Sequence, residues 1–239
     1  MNNSSNKNRL EHPCVLTAAM LAALVFCGSA VAQAPDPDAP YIIYLHSDAS
    51  RVDHEAMARL FIDQGHDVTT FWLDKDNPVA SSKSVARRVK QLIRDGVSPD
   101  RINVIGSGPT STVAALTSAG VANMGVNYVL LGQCDPAIRQ QYHFTMSGRV
   151  IGIYDESDST SQTCRALWNG SPRISDRKQL VTSTGLGAGL FDRPHEAWTN
   201  PVMAWVLPGG VNVGEIRVSK SQPRLRKLGT LAVVDLRGK

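Results

Sequence analysis

A chain of 239 residues with 42% hydrophobic and 19% charged side chains can bury one sizeable core, which excludes a disordered chain and fits a single α/β domain. The formal charge of +4 does not describe a basic domain. Residues 33–208 hold 16 Lys and Arg against 18 Asp and Glu, net −2, and residues 209–239 hold seven against two, net +5, so the pI gives no support to nucleic-acid binding.

Residues 1–32 have the three parts of a secretory signal peptide: basic Lys7 and Arg9, an apolar run from Val15 to Phe26, and Ala30-Val31-Ala32 before Gln33. The run is short of the roughly 20 residues that span a bilayer, which favours a cleaved leader over an anchor. The expected destination is outside the cytoplasm, periplasmic or secreted. Residues 33–40, with Pro35, Pro37 and Pro40, read as a stiff linker, and the domain begins at Tyr41.

From there short apolar runs alternate with helical patterns. The runs are Tyr41 to Leu45, Val68 to Leu73, Ile102 to Ile105, Tyr128 to Leu131, Val150 to Tyr154 and Gln179 to Thr182. Strands apolar on both faces are what a buried parallel sheet needs, so the expected architecture is α/β, a mostly parallel sheet with helices on both faces. Val52 to Gln64 places Met57, Leu60 and Phe61 on one helical face. Ser81 to Asp95 sets Val85, Val89, Leu92 and Ile93 against Arg87, Arg88, Lys90 and Arg94. Ligands bind such sheets at the carboxyl ends of the strands, which directs attention to the loops after each run.

A last helix is expected from Pro194 to Val206, with Pro194 in its first turn and Trp198, Val202 and Trp205 facing inward. Beyond Pro208 the pattern deteriorates, and residues 209–239 read as a basic, poorly ordered extension or an edge hairpin. Without the leader, Cys134 and Cys164 remain. They form a disulfide or stay as buried thiols, their common sheet edge favouring the bridge. Their spacing gives no metal signal, and no cofactor is expected.

After the run ending at Ile105, the chain turns through Gly106-Ser107-Gly108-Pro109-Thr110 into a helix of small residues. With Asn127 to Cys134 and Gly185-Leu-Gly-Ala-Gly-Leu-Phe191, this order of elements resembles a small bacterial α/β-hydrolase of the serine-hydrolase superfamily over Tyr41 to Val206. In that family a G-x-S-x-G elbow holds the nucleophile, and the triad follows in the order serine, acid, histidine. The resemblance puts the nucleophile at Gly108, the acid at Asp158 and the base at Ala188. Asp158 alone keeps a usable side chain, and a local capping role for it is an equal reading. Pro109 stands where an oxyanion N–H is needed, and losing one such donor costs roughly 2.7 to 4 kcal/mol of transition-state stabilisation. His46 matches the histidine that fixes the oxyanion loop, with Ser47 in place of the usual glycine.

Three departures at one site point to a lost acyl-transfer reaction and to a protein that binds a small-molecule ligand or a protein partner at the old pocket. A carboxylester hydrolase with a rebuilt triad of Ser107, Asp158 and His195 is the enzymatic rival, and a decaying paralogue a third reading. Membrane contact is expected only through the leader or, weakly, through Arg224, Arg226 and Lys227 of the basic extension.

Overall fold

Alternate residues of the first strand, β1 (Tyr41–His46), leave it for opposite sides. Tyr41, Ile43 and Leu45 enter one hydrophobic cluster, Ile42 and Tyr44 another. The same division runs through a computed structural model that describes residues 39–47, 52–74, 76–207 and 217–218. The leader and most of the linker and C-terminal extension lie outside the described residues.

The strands are β1, β2 (Asp67–Trp72), β3 (Ile102–Ser107), β4 (Asn127–Leu131), β5 (Ser147–Asp155), β6 (Arg173–Thr182) and β7 (Arg217–Val218). They lie in the order β2-β1-β3-β4-β5-β6-β7, every pair parallel. The helices between them are α1 (His54–Ile62), α2 (Pro78–Arg94), α3 (Pro109–Val121), α4 (Pro136–Tyr142), α5 (Arg165–Trp168) and α6 (Glu196–Val206). One face of the sheet is covered by α2, α3, Ile138 of α4 and Leu167 and Trp168 of α5. The other is covered by Met57 and Phe61 of α1 and by Trp198, Val202 and Trp205 of α6. A layered α/β fold results, an all-parallel sheet with helices on both faces.

Local chemistry explains where the helices start. Asp53, Asn77 and Asp135 each accept a hydrogen bond from a backbone N–H of the first turn, and Pro78, Pro109 and Pro136 occupy positions where a missing N–H costs nothing. The six expected strands are all present. The two that extend furthest beyond expectation are β5 and β6. The first half of β6 alternates between exposed and half-buried residues, so no continuous apolar run announces it; its pairing with β5 from Ser147 and Arg173 onward makes it a strand.

The expected start of the last helix is corrected. His195 is its N-cap and accepts from the Ala197 N–H at 3.1 Å, which leaves Pro194 outside the helix rather than in its first turn. Of the extension, Arg217 and Val218 are described, and they pair in parallel with Val181 and Thr182. No helix among the described residues is long and apolar enough to cross a membrane.

Candidate functional site

The strand-to-helix turn after β3 is tight because Gly106 has no side chain. A Cβ there would lie 2.4 Å from the Thr110 carbonyl oxygen, so α3 rises directly from the strand end. Gly108 caps that helix with φ 55° and ψ −127°, a conformation that strains any residue with a Cβ. Its N–H donates to the Leu131 carbonyl at 2.8 Å, which fixes the turn against β4. Above Gly108, a Cβ would meet no atom within 4 Å. The turn is therefore held tightly, and no described residue fills the space that a side chain at position 108 would enter.

The hydroxyls of the same turn serve the backbone. Ser107 is 4% exposed, and its Oγ donates to the Phe191 carbonyl at 3.5 Å. Thr110 Oγ1 accepts from the Ser107 N–H at 2.8 Å and lies 3.0 Å from the carbonyls of Leu45 and Ser107. Ser111 Oγ lies 2.9 Å from the Gly106 carbonyl and 3.2 Å from that of Leu131. Pro109, exposed at the first helical position, contributes no N–H.

Two further loops meet here. After β5, Asp158 is 5% exposed; its Oδ1 accepts from the Thr160 N–H at 2.9 Å and the Thr160 hydroxyl at 2.7 Å, and its Oδ2 from Ser161 Oγ at 2.8 Å. After β6, the chain runs through Gly185 into a 3-10 turn, Gly187–Phe191, in which Ala188 is exposed. This turn approaches the acid loop closely, for a Cβ on Gly187 would lie 3.7 Å from the Asp158 Cα. A Cβ on Gly132, after β4, would lie 3.1 Å from the Phe191 ring and 4.0 Å from Asp158 Oδ2. The ends of β3, β4, β5 and β6 thus converge, and the acid position and the Ala188 turn are neighbours.

Among the described residues no hydrogen bond joins Ser107, Asp158 and His195. His195 is occupied by the cap of α6, and Asp158 by Thr160 and Ser161.

Asp155, one turn before Asp158 and fully buried, anchors the loops. Its Oδ1 accepts from the Ser157 N–H at 3.1 Å, from the Ser157 hydroxyl and from the Gly187 N–H at 3.4 Å. Its Oδ2 accepts from Thr182 Oγ1 at 3.0 Å and from the Thr184 N–H and hydroxyl, each at 2.7 Å. Burial raises its pKa, but hydrogen bonds from Ser157 and Thr184 outweigh it and hold the carboxyl well below the usual carboxylate range.

At the carboxyl ends of β1 and β2, His46 is buried against the exposed Trp72, ring centroids 4.1 Å apart, and 4.7 Å from His54. His54 Nε2 donates to the Ser47 carbonyl at 3.3 Å, which leaves Nδ1 to accept from the Tyr44 hydroxyl at 3.2 Å. Asp53, next in the chain, donates its N–H to the Asp192 carbonyl at 2.8 Å, tying the start of α1 to the residue after Phe191. Reading the sequence misses both Asp155 and His54; the threonines at 182 and 184 are the signal for the first, and nothing local marks the second.

The expected bridge is present: Cys134 and Cys164 form a disulfide. It ties the β4–α4 loop to α5, and beside it Cys134 N–H donates to Ser161 Oγ at 3.2 Å, the hydroxyl that also serves Asp158. Among the described residues no group of three or more His, Cys, Asp or Glu is placed to hold a metal.

No family model and no curated protein matches this sequence. Among solved structures, the chain is similar to SOBER1 of Arabidopsis thaliana at 11% identity and TM-score 0.46, over 70% of this chain and 96% of that one. A point variant of the same protein matches at 9% identity and TM-score 0.47, over 70% and 97%.

Proposed function

We propose that this chain is an exported binding protein on an α/β-hydrolase-like scaffold, with acyl transfer lost and the emptied elbow region holding a small-molecule ligand. The observation that carries the reading is Gly108: it has the conformation of an elbow residue, with open space where a side chain would project. The hydroxyls of Ser107, Thr110 and Ser111 are bonded to backbone carbonyls, and Ala188 has no proton to exchange. A nucleophile without a base within about 3 Å is weak, and neither Gly108 nor Ala188 carries a group that could serve as one.

Two measurements on the purified chain test this. Turnover of a panel of short and medium acyl esters is expected to stay at background in the wild type and in Ser107→Ala alike. Gly108→Ser combined with Ala188→His is expected to recover little, because Pro109 still withholds its N–H. Ligand-observed NMR with small carboxylic acids and esters is expected to find binders whose signal weakens in Ala188→Trp, which crowds the site from an exposed position. Ester turnover that disappears in Ser107→Ala overturns the reading in favour of a relocated nucleophile. Absence of any binder from a cooperatively folded chain counts against the ligand site.

A further inference from the structure

Helix α2 carries an array of charge that neither the sheet nor the elbow uses. Lys83, Arg87, Lys90 and Arg94 are all exposed. At about 100° per residue they fall within an arc of about 60°, and at about 1.5 Å per residue the row is about 16 Å long. Arg88, about 100° further round the helix from Arg87, is half-buried and outside the row. The helix contains no Asp or Glu. Neither the Arg59–Glu55 nor the Arg149–Asp176 ion pair involves these side chains. Arg87 donates to Ser84 Oγ at 3.1 Å and Arg94 to Gln91 Oε1 at 2.5 Å, both neutral partners. Asp95, at the end of the helix, accepts from the Gln91 amide at 2.6 Å. In a domain whose net charge is −2 over residues 33–208, five cations on one helix are a concentration rather than an average.

We propose that this face of α2 docks on an anionic phospholipid surface. A straight row of cations on a convex helix suits a plane of phosphates and offers no concavity to a single small anion. The apolar side of α2, Val85, Ala86, Val89 and Leu92, is fixed in the core, so it cannot turn into the acyl region. Attachment is therefore electrostatic, shallow and salt-sensitive. It is distinct from the ligand site and from the basic C-terminal extension.

The test is cosedimentation of the full chain with vesicles of phosphatidylcholine, with and without phosphatidylglycerol. Comparing the two lipids removes the apolar part of the leader's contribution, and its cations Lys7 and Arg9 act equally in the wild type and in every variant, so the α2 effect is read as the difference between them. Binding that depends on phosphatidylglycerol is expected to weaken at least about tenfold when Lys83, Arg87, Lys90 and Arg94 are all replaced by Gln, since each cation near such a surface contributes about fivefold. Glutamine keeps the helix propensity, and circular dichroism with an unfolding midpoint checks that the variant folds. High salt is expected to abolish the effect, and Arg224→Gln, Arg226→Gln and Lys227→Gln together to leave most of it. The proposal is overturned if phosphatidylglycerol gives no preference, if the preference survives in the α2 variant, if it follows the C-terminal variant, or if the chain binds soluble heparin and no vesicles.

Discussion

At Asp155 one buried carboxylate closes the end of β5, the end of β6 and the turn that carries Ala188. Asparagine there keeps one acceptor oxygen and turns an amide donor toward the donors of Ser157 or Thr184. Asp155→Asn is therefore expected to lower stability by about 3 kcal/mol or more, measured by urea unfolding. The depressed pKa adds a sign: the stabilisation is present above the unfolded-state value of about 3.9 and is lost as pH falls below it, because the unfolded chain takes the proton first. The resemblance puts an acid at Asp158, but the sequence does not show the division of labour between it and Asp155. That division depends on Thr182 at the end of the next strand and Thr184 just after it, which reach Asp155 through a contact with no local pattern. His54 was illegible for the same reason, since its partners are Tyr44 and the Ser47 carbonyl across a loop.

Among the elements, the elbow was the most legible because its constraints are local: Gly106 for close approach, Gly108 for a left-handed φ and Pro109 for the first helical position. The start of α6 was misjudged because proline and histidine can both open a helix, and the hydrogen bond to Ala197 decides between them. The disulfide acts at this scale too. It closes a segment of 30 residues that contains the acid loop, and in the chain-entropy account such a closure restrains the unfolded state by roughly 3 to 4 kcal/mol. Cys134→Ser with Cys164→Ser is expected to lower the denaturation midpoint accordingly. The loop from Asp158 to Ser161, hydrogen-bonded to Cys134, is expected to lose hydrogen-exchange protection before the sheet does.

Across the whole molecule, the sheet separates two apolar clusters, and one titratable group has been drawn in at the α1–β2 turn. His66 is buried edge-on to Phe61, and neither ring nitrogen has a hydrogen-bond partner among the described residues. Burial lowers its pKa, so the folded state resists a proton that the unfolded state accepts. Stability is expected to be full above about pH 6.5 and to decline as pH falls through the folded value, and His66→Leu to flatten that part of a thermal-melting profile.

Parallel pairing throughout the sheet also governs how the chain assembles. Each described strand reaches its neighbour through a crossover, so among the described residues no hairpin is available as a local starting point. Although β1 is the first of the described strands to be made, its outer neighbour begins at Asp67 and its inner one at Ile102. The most central contacts of the N-terminal half therefore wait on distant sequence, and refolding is expected to be slow for a domain of this size, with β1 exposed and open to mispairing until β3 arrives.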